Sequence, residues 1–330
     1  MTEHPQVPSD PATRVIRDLC RWLGEDQPVW LCTVLQTWGS SPRPPGSLLA
    51  VNARGEWSGS VSGGCLEEDL IRRVVEIEQP NALPQIIDDG IGEEDQQRYR
   101  LPCGGRMSLL IEPLSPANDL GHFSALLGAL EERRPITRRV DSESGERTFL
   151  GSLVPGLIEA SEGSVRHTLG PQCRMLLIGA GEVSRYVARI ARMNDFAVSL
   201  CEPREAFLKG WDEPDVPLHQ CLPDDLIESR FNDRYCAILA LGHDPRIDDM
   251  GLIAALRTPA FYVGAMGSQR TAATRRSRLH ELGVSEDRLG RLHAPIGFHI
   301  GSKSPPEIAV AILAQVLAER YRLLRRSPRS

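Results

Sequence analysis

The sequence predicts an α/β chain in two parts: an α/β N-terminal domain over residues 1–165 and a doubly wound parallel-sheet domain over 166–330. Three observations carry that reading. First, 330 residues with 41% hydrophobic and 25% charged side chains exceed one ordinary domain and exclude collagen-like, rod-like and disordered chains. Second, short apolar runs alternate with helical stretches through the second half, the pattern of a parallel sheet with right-handed crossovers. Third, one of those runs enters a glycine-rich turn directly.

In chain order, Thr13–Leu23 reads as a helix with Val15, Ile16, Leu19 and Leu23 on one stripe. Val29–Trp38 is rich in β-formers and reads as a strand, followed by a stiff loop from Gly39 to Gly46. Ser47–Asn52 and Glu56–Val61 read as a hairpin around Arg54-Gly55. A helix from about Cys65 to Gln79 is stopped by Pro80, and a second rigid loop, Leu101–Gly105, precedes a strand at Arg106–Ile111. Asp141–Gly163 is polar and turn-rich and reads as a linker or hairpin boundary. Beyond it, Arg174–Ile178, Ala197–Cys201, Cys236–Leu241 and Ala260–Val263 read as strands. Val183–Met193, Asp225–Ser229 and Ile247–Leu256 read as the helices between them.

A formal charge of −6 argues against general binding to nucleic acid or an anionic membrane. No run approaches the ~18 apolar residues of a membrane span, and Met1–Asp10 lacks the features of a secretory signal. A cytoplasmic protein is expected.

The strongest motif is Gly179-Ala180-Gly181-Glu182-Val183-Ser184, placed between a strand and an amphipathic helix as in a Rossmann-like dinucleotide site. Gly179 permits the tight turn, Gly181 lets backbone amides approach a pyrophosphate, and Ser184 is small enough for helix–strand packing. Glu202 closes the next strand 21 residues beyond Gly181, a spacing that suits a carboxylate bonding ribose hydroxyls. Arg204 is a candidate for a phosphate, beside the plainer reading of a solvated arginine. His243 is a candidate general base or ligand with Asp244 as its orienter, or both simply cap the next helix. Gly264, Gly267 and Ser268, then Gly301 and Lys303, mark two further loops at helix starts, the second a candidate anion site.

Among eight cysteines, Cys20, Cys32, Cys201 and Cys236 sit in apolar patterns, and Cys173 and Cys221 give no clear signal. Cys65 follows Gly63-Gly64 at a helix start, and Cys103 precedes Gly104-Gly105. A helix N-terminus favours the thiolate, and neighbouring glycines leave room for a bulky ligand. Both are candidate metal ligands and reactive thiols. Glu68→Arg72 and Asp69→Arg73 are surface pairs, whereas Glu67 lacks such a partner and is the carboxylate held for function.

The segments Thr37–Gly46, Gly59–Glu67 and Pro102–Gly105 resemble the N-terminal domain of the XdhC/CoxI family, accessory proteins of xanthine dehydrogenases and related molybdenum hydroxylases. Ile178–Ser184, Cys201–Arg204, Tyr262–Ser268 and Pro295–Gly301 with Pro306–Ala309 resemble the Rossmann domain of that family, so the likeness runs from about residue 15 to 320. Glu182, Ser184 and Glu202 depart from the residues many relatives carry there. The resemblance implies a chaperone that binds molybdenum cofactor, as molybdopterin or its cytosine dinucleotide. It further implies help with sulfuration by a cysteine desulfurase and insertion into an apo molybdenum hydroxylase, with a cofactor nucleotidyltransferase as a further partner. On that reading the Rossmann half holds the nucleotide end, and Cys65 and Cys103 guard the metal end. Two alternatives share the residues: an NAD-dependent oxidoreductase with His243 as proton donor, and a non-catalytic protein-interaction adaptor. Assembly as a homo-oligomer is left open.

Overall fold

The computed structural model describes residues 11–38, 43–62, 67–68, 71–72, 83–89, 106–151, 158–242, 244–301 and 303–325. The described residues divide into two compact units, the first of residues 11–171 with 324–325 and the second of residues 172–323.

The first unit opens with helix α1 (Pro11–Gly24) and strand β1 (Val29–Trp38). β2 (Leu48–Asn52), β3 (Trp57–Gly59), β4 (Gln85–Asp89) and β5 (Arg106–Leu114) complete an antiparallel sheet of order β3-β2-β1-β5-β4. Strand alternation sets its two faces. Val29 and Leu31 of β1 pack with Ile16, Leu19 and Leu23 of α1 and with Phe123 and Leu126 of α2 (Pro116–Glu131). Trp30, Cys32 and Val34 point the other way, into a cluster that includes Met107, Leu109 and Ile71.

The stretch Asp141–Gly163, which reads as a linker or hairpin boundary, carries hairpin strands in its described residues. β6 (Ile136–Asp141), β7 (Arg147–Leu150), β8 (Ile158–Ser161) and β9 (Ser164–Leu169) form a second antiparallel sheet of order β7-β6-β9-β8. β7 and β8 are its edges and bury almost none of their side chains, so no apolar alternation betrays them. Val140 and Val165 of this sheet pack with Leu35 and Leu110 of the first.

In the second unit, β10 (Arg174–Ile178), β11 (Ala197–Cys201), β12 (Leu218–His219), β13 (Cys236–Ala240), β14 (Tyr262–Ala265) and β15 (Leu292–His293) pair in parallel. Their order is β12-β11-β10-β13-β14-β15, two halves growing outward from a central β10/β13 pair as in the Rossmann fold. Both faces are buried. Met175 and Leu177 pack with α3 (Glu182–Met193) on one side, and Leu176 and Ile178 face the opposite cluster. This is why the strands read as continuous apolar runs. The remaining helices are α4 (Glu205–Leu208), α5 (Pro223–Arg230), α6 (Pro245–Arg257), α7 (Gln269–Glu281), α8 (Glu286–Leu289) and α9 (Pro305–Arg325). Among the described residues no helix is long and apolar enough to cross a membrane.

Candidate functional site

In an open parallel sheet the ligand crevice lies outside the carboxyl ends of the strands, where the strand order reverses. Here that place is between the ends of β10 and β13. Gly179 leaves β10 with φ +100, its amide donating to the Cys201 carbonyl at 2.9 Å. A Cβ at Gly179 would lie 2.7 Å from the Gly242 Cα, so both the dihedral and the close approach demand glycine. Ser184 is fully buried and its hydroxyl donates to the Gly179 carbonyl at 2.6 Å, tying the turn to the helix that follows.

Gly181 is the N-cap of α3 and makes no side-chain cap. A Cβ there would meet only the Leu241 carbonyl oxygen, at 3.9 Å, so there is open space before the first-turn amides. Such a terminus favours an anion. Glu182 is exposed in this first turn.

Glu202 is 0% exposed at the end of β11. Its carboxylate accepts from the Ala180 amide at 3.1 Å, from the Arg204 amide at 3.0 Å, and from Arg204 Nε and Nη2 at 2.7 and 2.9 Å. Burial pushes its pKa up, but the Arg204 fork and the two amides outweigh this and hold it below the usual range. Arg204 is therefore no freely solvated side chain. It is forked onto Glu202 and lies over the Phe207 ring, 3.9 Å from the centroid.

At the end of β13, Asp244 caps α6, accepting from the Arg246 amide at 3.1 Å. His243 lies outside the described residues. Beneath Gly242, Asp248 is 1% exposed and accepts from Arg275 at 3.1 Å; Arg275 also donates to Asp249 at 3.2 Å and to the Met266 carbonyl at 2.9 Å. Burial raises the Asp248 carboxyl to about 6 although Arg275 opposes the shift. Sequence reading passed over Asp248, because a carboxylate one turn into a helix looks like a surface residue.

The other two loops find local partners. A Cβ at Gly264 would lie 2.6 Å from Ile296 Cδ1, so this glycine leaves room for the Ile296 side chain against β14. At Gly267 a Cβ would come within 3.1 Å of Thr271, and Ser268 is the N-cap of α7, accepting from the Thr271 amide at 3.1 Å. Gly301 has φ +74 and is exposed. In this loop the amides of Lys303 and Ser304 donate to the Glu307 carboxylate at 3.1 and 3.2 Å.

In the first unit, Glu67 is 6% exposed and reaches back to the chain that precedes its helix. Its Oε1 accepts from Ser60 Oγ at 2.6 Å and from the Val61 and Ser62 amides at 3.0 and 2.9 Å; Oε2 accepts from Ser62 Oγ. Burial favours the neutral acid, but the Ser60 and Ser62 hydroxyls and the amides pull the pKa down to about 2. Glu67 is thus a permanent anion that anchors residues 60–62, not a proton donor near neutral pH. Neighbouring Glu68 pairs with Arg72 at 3.6 Å, as its spacing predicts. The partners of Glu67 escaped the sequence reading because they lie upstream of the helix, where i,i+4 spacing does not look.

Cys65 and Cys103 lie outside the described residues. The other six cysteines all pack in or against the hydrophobic clusters. Burial raises Cys20 to about 11 and Cys32 to about 12, so both stay protonated and inert.

Residues 22–82 match the model of the XdhC and CoxI family, and residues 175–316 match the XdhC Rossmann domain. The chain is 27% identical over 301 residues to the molybdenum cofactor insertion chaperone PaoD of Escherichia coli, covering 88% of this chain and 83% of that one. It is 24% identical over 326 residues to a protein of Bacillus subtilis described as a probable component of xanthine dehydrogenase, covering 91% and 96%. A crystal structure described as a xanthine dehydrogenase from Bacillus halodurans matches with a TM-score of 0.74 at 23% identity, over 94% of this chain and 96% of that one, a likeness of fold. With both family models matched in order, one on each unit, this chain belongs to the XdhC and CoxI family.

Proposed function

We propose that the protein is a molybdenum cofactor-binding chaperone that protects the cofactor, assists its sulfuration and inserts it into a molybdenum hydroxylase. The observation that carries this reading is the likeness to PaoD, a molybdenum cofactor insertion chaperone, over 88% of the chain. The crevice fits the phosphate end of such a ligand: the α3 terminus has no side-chain cap, and a Cβ at Gly181 would project into open space. The first-turn amides of α3 would hold the phosphate, whether of molybdopterin or of its cytosine dinucleotide. When bound, the cofactor supplies a soft, sulfur-ligated metal centre, for which thiolates are suited ligands. Cys65 and Cys103 are the residues proposed to meet it, with Glu67 positioning the chain that leads to Cys65. The partners on this reading are an apo molybdenum hydroxylase and a cysteine desulfurase.

The test is to purify the full chain with its bound ligand and identify the released species by mass spectrometry. A molybdopterin species is expected. Recovery of NAD alone would move the reading to a nicotinamide-dependent oxidoreductase using the same crevice.

A further inference from the structure

Glu202 stands where a doubly wound crevice places the carboxylate that receives the hydroxyls of a ribose. A carboxylate has about four acceptor positions. At Glu202 four donors occupy them: the Ala180 amide, the Arg204 amide, Arg204 Nε and Arg204 Nη2. The side chain has no exposed surface left. Arg204 in turn is fixed from several sides. Its fork engages Glu202, the Phe207 ring lies 3.9 Å away, and the carboxylates of Asp244 and Asp248 act on its charge. An arriving ribose hydroxyl therefore finds the expected acceptor filled, and the guanidinium beside it can donate to the hydroxyl oxygen but cannot take its proton, so the charge-assisted bond to a carboxylate is lost.

We propose that Arg204 is a specificity-determining residue that withholds Glu202 from ribose, so that the crevice holds its ligand by phosphate and offers ribose hydroxyls no carboxylate acceptor. This rests on the reading that the crevice takes the phosphate end of the cofactor, and it sharpens that reading. A phosphate monoester form is held as well as a dinucleotide form, and ordinary ribose-bearing dinucleotides gain no advantage from their sugars.

Calorimetric titration of the full-length chain with CDP and with 2′-deoxy-CDP tests this directly. The wild-type chain should bind the two alike. Arg204→Ala uncovers Glu202 and should make CDP about tenfold tighter than its deoxy analogue, the effect of a hydrogen bond to a charged acceptor. Arg204→Lys keeps the charge but cannot fork, and guards against misfolding of the alanine variant; it should move in the same direction. A wild-type chain that already prefers CDP about tenfold overturns the proposal, as do two variants that treat both nucleotides alike or bind neither. Absence of molybdopterin from the purified chain would remove the cofactor reading and leave this hydroxyl discrimination as measured.

Discussion

Glu67 in the first unit and Glu202 in the second each reach from an element end to a glycine-bearing loop, but they are held by different donors. Glu67 sits among hydroxyls and amides of residues 60–62, all electrically neutral. Glu202 is met by a guanidinium as well as by amides. The neutral cradle leaves a full negative charge in place, whereas the cationic fork cancels it. The backbone amides of the neutral cradle are also fixed by the chain and cannot swing to a new acceptor once the carboxylate is gone. A guanidinium that is partly exposed can turn to water instead.

That difference sets the largest expected effect. Glu67→Ala removes the acceptor of two hydroxyls and two amides, and at roughly 1–3 kcal/mol for each buried unmade bond, relieved by hydroxyl rotation and by the Arg43 contact that Ser60 Oγ keeps, the loss should reach about 3 kcal/mol. Glu202→Ala strands two amides but frees Arg204, whose side chain is already 32% exposed, so about 2 kcal/mol is expected. Hydrogen exchange resolved by peptide would read each loss in its own unit. Equal losses would erase the distinction between the two carboxylates.

Next in size is the glycine turn. Gly181→Asp places a carboxylate in the space before the α3 amides, where it caps the helix itself and repels a phosphate. The empty chain should remain as stable as wild type. The stabilisation that ligand confers, about 2.7 kcal/mol at a hundredfold excess over Kd, should disappear. A thermal upshift with ligand equal to that of wild type would remove the phosphate from this turn.

These effects also show where the sequence was legible. The second unit could be read because its strands are buried on both faces and one ends in a glycine turn, leaving unbroken apolar runs as the signal. β14 still came out two residues early, since Ala260 and Phe261 extend its apolar run before pairing begins at Tyr262. In the first unit β7 and β8 are exposed edges with no alternation, and α2 went unread despite Ser115 and Pro116 at its start, a pair that marks helix entry. At the site, the spacing that singled out Glu202 gave its position but not its occupant. Arg204 saturates Glu202 through side-chain geometry, and residue spacing carries no record of that. Glu67 drew notice through the lack of a helical partner, while Ser60 and Ser62 became its partners only when the chain turned back.

The smallest expected effect separates the units by their response to acid. His167 is 6% exposed on β9 opposite Arg138 of β6, with Phe149 of β7 pairing the other side of Arg138. Burial, then the Arg138 charge, push its pKa down to about 3; His122, near the same arginine, is lowered to about 4. A histidine lowered on folding contributes stability that is complete above its unfolded pKa of 6.5 and is lost as pH falls toward the folded value. Between pH 6.5 and 5.5 His167 should therefore remove about 1 kcal/mol from the first unit. In the second unit burial also lowers His219 and His293, but Asp248 works in the opposite sense. Its carboxyl is raised from 3.8 to about 6, so its cost is full above pH 6 and is relieved as pH falls. Hydrogen exchange at the two pH values, corrected for the intrinsic rate, should show the first unit losing more stability than the second. His167→Gln should bring the two closer together. A first unit that stays just as acid-sensitive in that variant would place the sensitivity elsewhere than in this buried imidazole.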